Sequence, residues 1–203
     1  MDDFDPEALS VLRYRAKAAL RQRMRALRST IPADSIAERS ARICAALENH
    51  PIFQAAQSVA LFWPIVRKNE VDLRPLVQPL LARGVRVAFP AIDPTTRRMT
   101  FRFPNEPSAM EERGLGFQEP SPEEPEATAL DLIVVPALGV DPQGNRLGYG
   151  AGFYDRALPL FSPPGRTIGV VFDFQVLVEV PATEGDIPLE TIVTDVRVFN
   201  TRS

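Results

Sequence analysis

The sequence predicts an α/β fold: a single domain, residues 1–203, with a mostly parallel central sheet flanked by helices on both faces. Three observations predict it. Short apolar runs alternate with segments of helical periodicity, the order that builds a parallel sheet by crossover helices. The run from Leu130 to Val135 is continuously apolar apart from Asp131, as befits a strand buried on both faces. A length of 203 residues with 45% hydrophobic and 24% charged residues suits one buried core under an ordinary charged surface.

Along the chain, Leu9, Leu12, Ala16, Ala19, Leu20, Met24 and Leu27 recur at three- and four-residue steps. They predict a helix over Pro6–Arg28 with one apolar stripe. Arg13, Lys17, Arg21 and Arg25 step by four along a neighbouring face. Pro32 and Asp34 open a second helix that ends near Asn49-His50-Pro51. Ser58–Trp63 reads as a strand stopped by Pro64, followed by the loop IVRKNE and a helix from about Asp72 to Arg83 that ends at Gly84. Val85–Phe89 is a strand closed by Pro90, and Arg98–Phe103 alternates as a strand with one wet face. Residues Pro104–Ala129, rich in Pro and Glu, read as an ordered irregular excursion. After Val135 come a glycine-rich loop, a helix over Phe153–Phe161, a strand over Thr167–Phe172, and short strands and turns from Val176 onward.

Composition narrows the chemistry. Cys44 is the only cysteine, so no intrachain disulfide can form and a reducing, cytoplasmic setting is expected. The N-terminus is acidic where a secretory signal would be basic, and no apolar run approaches the roughly 20 residues of a membrane span. A net charge of -3 argues against a broad basic field for nucleic acid. A monomer acting on small molecules, with no nucleic-acid or membrane partner, is the expectation. His50, the only histidine, sits at a helix end beside a proline, a poor setting for a triad or a zinc site. Chemistry in this chain therefore rests on Arg, Lys, carboxylates, backbone amides and a hard metal ion.

The loop from Arg146 to Asp155, RLGYGAGFYD, carries the main functional signal. Glycines at 148, 150 and 152 leave no side chains between a ligand and the backbone amides, and a helix begins directly afterwards. The pattern is neither a P-loop nor a dinucleotide fingerprint. Taken alone it serves a tight turn as readily as a ligand loop. Arg146 can fork onto phosphate oxygens, and Asp155 is a hard oxygen ligand suited to magnesium beside a nucleotide.

VVPALGVDPQGNRLGYGAGFYDR resembles the signature of the 5-formyltetrahydrofolate cyclo-ligase family, also called methenyltetrahydrofolate synthetases. Lys17-Ala-Ala-Leu-Arg21, Glu70-Val-Asp, GLGFQEP and VPATEGDIPLETIVTD resemble further family elements in the same order, so the resemblance spans Lys17 to Thr194. It implies ATP- and Mg2+-dependent conversion of 5-formyltetrahydrofolate to 5,10-methenyltetrahydrofolate, ADP and phosphate. In that scheme the formyl oxygen attacks the terminal phosphate, the neighbouring folate nitrogen closes the ring, and phosphate leaves. It also implies roles. Lys17, Arg21 and Arg146 would hold ATP phosphates and carry catalysis, with Leu147, Gly148, Tyr149, Gly150, Ala151, Gly152, Phe153 and Tyr154 forming the nucleotide loop. Trp63, Glu70, Tyr149, Gly150, Ala151, Gly152 and Phe153 would contact the folate, and Asp155 and Asp186 would hold magnesium. Departures are Ala151 where glycine is common, Phe153 for the more usual tyrosine, and Val140 for phenylalanine before Asp141. Without the resemblance, Lys17 and Arg21 would read as a solvated basic face, Asp186 as a turn carboxylate and Trp63 as a core residue. Two other readings remain open from residues alone: a sugar-phosphate isomerase or lactonase of similar architecture, and a non-catalytic nucleotide- or folate-binding relative.

Overall fold

The computed structural model describes residues 5–114 and 116–201, so Leu115 of GLGFQEP and the acidic start Met1–Phe4 lie outside the described residues. Helix α1 (Pro6–Ser29) starts on Asp5, whose carboxylate accepts from the Glu7 amide at 3.0 Å, with a proline in the first turn. Only part of its predicted apolar stripe is used, and Leu27 near its end is exposed. Met24 is buried and Leu20 packs beside it, whereas Leu9 and Leu12 are exposed. Helix α2 (Ala33–Glu48) buries Ile36, Ile43, Cys44 and Leu47, the face its 3.6-residue period predicts. Burial pushes the Cys44 thiol up to about 12, which makes it an inert core residue. His50 occupies the position before the short helix α3 (Pro51–Ala55) without a side-chain capping bond.

A seven-stranded sheet runs in the order β11-β10-β9-β6-β1-β2-β3. Strands β1 (Ser58–Ala60), β2 (Arg86–Ile92), β6 (Leu132–Pro136), β9 (Arg166–Val170) and β10 (Thr191–Val193) are parallel. The edge strands β3 (Met99–Arg102) and β11 (Val198–Asn200) run antiparallel to their neighbours. Two small hairpins, β4–β5 (Glu111–Glu112, Gln118–Glu119) and β7–β8 (Gly139–Val140, Arg146–Leu147), stand apart from the sheet. Alternate strand residues face opposite sides. Val59, Val87, Leu132, Val134 and Ile168 pack with α2, α3 and α4 (Val77–Ala82), while Ala60, Ala88, Ile133 and Val135 pack with α5 (Phe153–Ala157) and the turn after it.

Several predicted boundaries move. Strand β1 stops at Ala60, three residues before Trp63. The helix expected from Asp72 begins as a single 3-10 turn at Arg74–Leu76 and is α-helical only from Val77. Strand β2 continues through Pro90. Its missing N–H would point to the same side as the Ala88 carbonyl, which accepts from Leu61 at 2.9 Å, and β1 has ended there. The proline therefore costs no ladder bond. Strand β9 ends at Val170, two residues short of Phe172. The helix expected over Phe153–Phe161 is α-helical only to Ala157, then a 3-10 turn over Leu158–Leu160.

Chain order places β2 and β3 on one side of β1 and β6, β9 and β10 on the other. The order therefore reverses between β1 and β6, and a crevice opens beyond their carboxyl ends, where ligands of such sheets bind.

Candidate functional site

Phe62 and Trp63, just past β1, and Pro136, at the end of β6, line a cavity of about 200 Å³ at that reversal point. Its far wall is the glycine loop. Arg146, Gly148, Tyr149, Ala151, Gly152, Phe153, Tyr154 and Asp155 all border it, as does Glu70. Leu147 does not, being fully buried in a small core with Met24, Leu138 and Val180. Gly150 faces away from it too, toward Arg21, whose guanidinium carbon lies 3.6 Å from where a Cβ would stand.

The loop's shape is set locally. Gly150 and Gly152 adopt φ of 105° and 66°, a region other residues avoid, so the alternating glycines are needed as backbone. Asp141, fully buried, accepts from the Gln143, Asn145 and Val180 amides and fixes the turn that delivers Arg146. No protein group among the described residues accepts a hydrogen bond from the backbone N–H groups of residues 148 to 152. Helix α5 is only five residues long, so its dipole adds little. Free amides and side-chain cations must provide any anion affinity.

On the cavity side, Glu70 is held by its own turn. Asn69 adopts a left-handed conformation, and its side chain donates to the Arg28 and Ile31 carbonyls at 3.0 Å each, pinning the turn to the end of α1. The buried Glu70 carboxylate accepts from the Ile65 amide at 2.8 Å and from the Tyr149 hydroxyl. That hydroxyl in turn accepts from Arg28. Burial, then the charge of Glu70, raises the Tyr149 pKa, so the phenol stays protonated and donates. Trp63 packs on the core, edge-on to Phe89 at 5.8 Å between ring centres, and also lines the cavity. Ile92, Met99 and Phe117 complete an apolar wall that no sequence signal marked.

The charged side lies across the same loop. Lys17 is 4% exposed, far from a solvated surface residue. Its Nζ donates to Thr183 Oγ1 at 2.9 Å and pairs with Asp186. Arg21 Nε donates to the Gly148 carbonyl at 2.9 Å and Arg25 to the Tyr149 carbonyl at 3.2 Å, so α1 clamps the loop. Arg146 pairs with Asp155 and donates to the Ile187 carbonyl. Burial lowers its pKa, while Asp155 and Asp186 pull it back up, and a guanidinium remains charged. For Asp186, burial acts upward, but hydrogen bonds from Lys17 and Thr183 outweigh it and hold its carboxyl below the ordinary range. Lys17, Arg21, Arg146, Asp155 and Asp186 thus converge on the loop and on the segment 183–187. Arg25, Arg28, Lys68 and Thr183 join them without having been singled out. Arg25 was visible only as the next step of the Arg13-Lys17-Arg21 row, and Lys68 only as the neighbour of Glu70.

Asp155 and Asp186 approach one segment from two sides: the Ile187 amide donates to Asp155 Oδ1 at 3.4 Å, and Asp186 precedes it. Two hard carboxylates beside phosphate-seeking cations fit magnesium, which commonly takes one or two carboxylates and completes its shell with phosphate oxygens and water. No cluster of three or more metal-ligating side chains occurs among the described residues.

Fold and site together define an α/β protein with a ligand cavity at its strand reversal, walled by a glycine loop that cations grip from behind. Comparison with known proteins makes this specific. The sequence profile of the 5-formyltetrahydrofolate cyclo-ligase family matches residues 13–195. The Escherichia coli K12 5-formyltetrahydrofolate cyclo-ligase is 29% identical over 185 residues, covering 89% of this chain and 98% of that protein. The NMR structure of Aquifex aeolicus 5,10-methenyltetrahydrofolate synthetase superposes with a TM-score of 0.80 at 30% identity, covering 92% and 93% of the two chains. The Mycoplasma pneumoniae 5,10-methenyltetrahydrofolate synthetase structure shares the fold, with a TM-score of 0.70 at 22% identity over 88% of this chain and 98% of that one. The chain belongs to the 5-formyltetrahydrofolate cyclo-ligase family and is a ligase.

Proposed function

We propose that this enzyme uses ATP and Mg2+ to convert 5-formyltetrahydrofolate to 5,10-methenyltetrahydrofolate, releasing ADP and phosphate, as a cytoplasmic monomer. The observation that carries the reading is one loop with two unlike faces. A mostly apolar cavity with one buried, prealigned carboxylate, Glu70, lies on one side; the Arg146–Asp155 pair borders that cavity, and the Lys17–Asp186 pair lies beyond it on the other side.

Glu70 accepts hydrogen bonds from the N–H groups of the pterin edge, while Trp63 and Phe153 offer faces to its ring. Tyr149, Ala151 and Gly152 bring backbone to both ligands, and Gly150, which faces Arg21, to the nucleotide. Lys17, Arg21 and Arg146, with the free amides between residues 148 and 152, hold the triphosphate. Asp155 and Asp186 would hold Mg2+, which when bound neutralises charge on the phosphate oxygens. The substrate supplies both nucleophiles, so no side-chain base is needed to start the reaction. The formyl oxygen attacks the terminal phosphorus and ADP leaves. The neighbouring amine nitrogen then attacks the activated formyl carbon, loses its proton, and inorganic phosphate departs. The protein's contribution is alignment and charge stabilisation.

The test is the absorbance of methenyltetrahydrofolate on mixing the protein with 5-formyltetrahydrofolate, ATP and magnesium. Absence of product at high enzyme concentration refutes the reading.

A further inference from the structure

Arg28 is only 4% exposed, yet it pairs with no carboxylate among the described residues. Its Nη2 donates to the Tyr149 hydroxyl, while its Nε is enclosed without an acceptor. A buried guanidinium that leaves a donor unused is costly to keep, so the bond it does make calls for an explanation. The Tyr149 hydroxyl donates in turn to Glu70 Oε1, and the other Glu70 oxygen accepts from the Ile65 amide at 2.8 Å. Arg28 therefore reaches a negative charge only through a phenol.

Resting on the reading of Glu70 as the folate acceptor, we propose that Arg28 is a positioning residue for that carboxylate, acting through the Tyr149 hydroxyl. A phenol carries one proton, and a guanidinium can only donate. With Arg28 donating to its oxygen, Tyr149 gives its own proton to Glu70, and the chain of bonds has one direction. Guanidinium, phenol and carboxylate form a charge-assisted series in which each bond polarises the next. Burial and the charge of Glu70 raise the Tyr149 pKa while Arg28 acts the other way, so the guanidinium makes the protonated phenol a better donor. Without Arg28, the phenol oxygen becomes an open acceptor and its proton can turn elsewhere. One Glu70 oxygen then loses its fixed partner, and the carboxylate meets the pterin edge in more than one orientation.

Other cations of α1 hold the loop differently. Arg21 and Arg25 donate to the Gly148 and Tyr149 carbonyls, so they grip main chain. Arg28, a turn further along, grips a side chain that ends on Glu70. Its own carbonyl also accepts from Asn69 Nδ2 at 3.0 Å, beside Glu70. A substitution at position 28 leaves that carbonyl in place, and so separates the side-chain route to Glu70 from the backbone route.

The test is steady-state kinetics on wild type, Arg28→Met, Tyr149→Phe and the double variant, with 5-formyltetrahydrofolate and ATP varied in turn. Each single variant is expected to raise the folate KM about tenfold, within the range for groups in one hydrogen-bond network. The kcat and the ATP KM should stay within about threefold of wild type. The double variant is expected to match a single one, near tenfold, because either substitution breaks the same chain. Independent contributions would multiply to about a hundredfold and overturn the proposal. It is also overturned by an unchanged folate KM in Arg28→Met, or by an ATP KM that rises as far as the folate KM, the mark of a merely structural role in holding α1. Glu70→Gln separates this proposal from the reading beneath it. An unchanged folate KM in Glu70→Gln sinks the role of Glu70 itself, whereas a raised one beside an unchanged Arg28→Met sinks only the positioning role. Arg28→Gln replaces Arg28→Met in the cycle if the latter does not fold. Should neither fold, Arg28 is a scaffold residue and the proposal falls.

Discussion

The two faces of the loop at residues 146–155 are built on opposite principles. Toward the cavity, the loop meets Trp63, Met99 and Phe117, with a buried acid, Glu70, locked by the Ile65 amide and Tyr149, and with the Arg146–Asp155 pair bordering the same space. Behind it, Arg21 donates to the Gly148 carbonyl and Lys17 pairs with Asp186, while the Arg146–Asp155 pair borders the cavity as well. The first face is fixed in advance: its acceptor is oriented by backbone and needs no rearrangement to receive a flat, donor-edged ring. The second is balanced against itself, so a ligand must displace one partner to reach the other. In the proposed reading, one face discriminates by shape and hydrogen bonding, the other by charge.

The largest separation of the two faces is expected from Lys17→Ala. It removes a cation from the charged face and touches nothing in the cavity. Turnover should fall by about 100-fold or more, the usual cost of losing one group that stabilises developing charge. KM for 5-formyltetrahydrofolate should stay within about threefold, since binding that does not change in the transition state is read by KM alone. Steady-state kinetics with each substrate varied in turn checks this. A large rise in folate KM with kcat intact would break the division between the faces.

The converse variant is Glu70→Ala. Loss of a buried, charged hydrogen-bond acceptor costs about 1.5–3 kcal/mol. KM for the folate should therefore rise about 10- to 100-fold, with KM for ATP little changed. The same kinetics decides the matter, and an effect confined to ATP would place Glu70 on the wrong face.

How much of this was legible in the sequence differs between the faces for a physical reason. The loop was legible because glycine spacing is a local code: Gly150 and Gly152 need their backbone angles whatever surrounds them. The cavity's position was legible too, since strands alternating with helices already put the loop after β6 at a ligand-binding end. The charged face was not. Lys17 and Asp186 are 169 positions apart, so their pairing exists only through the fold, and Lys17 by itself reads as one more charge on a helix. Family resemblance pointed to both residues but not to their contact. Burial misled at smaller scale. Val59–Trp63 is apolar throughout, yet the strand is only Ser58–Ala60, because Phe62 and Trp63 are apolar for the cavity and core rather than for the sheet. Pro90 was read as a stop because a proline usually ends pairing. It ends nothing where the neighbouring strand has already finished.

The smallest expected effect concerns acid stability and probes the charged face without ligands. Asp186 has a folded-state pKa below the ordinary carboxylate value of 3.8, held there by Lys17 and Thr183 against the upward pull of burial. A depressed folded pKa favours the folded protein wherever the carboxylate is ionised in both states. That contribution is complete above the unfolded value and disappears as pH falls through the folded one. Asp186→Asn removes it at every pH. Wild type should thus melt higher than Asp186→Asn at neutral pH, by about 2–4 °C or less for a partly solvated pair in a chain of this size. The gap should close as pH drops below the ordinary carboxylate value. Asp72 and Asp131 are also held below their ordinary values, Asp72 by Arg74 against burial and Asp131 chiefly by the Gln57 amide. Both proteins therefore keep an acid limb, and only the difference between the two curves reports on Asp186. Thermal melts from neutral pH into the acid range measure it. A gap that stays constant would mean that the Lys17–Asp186 pair contributes no charge-dependent stability, and the charged face would then be less balanced than its geometry indicates.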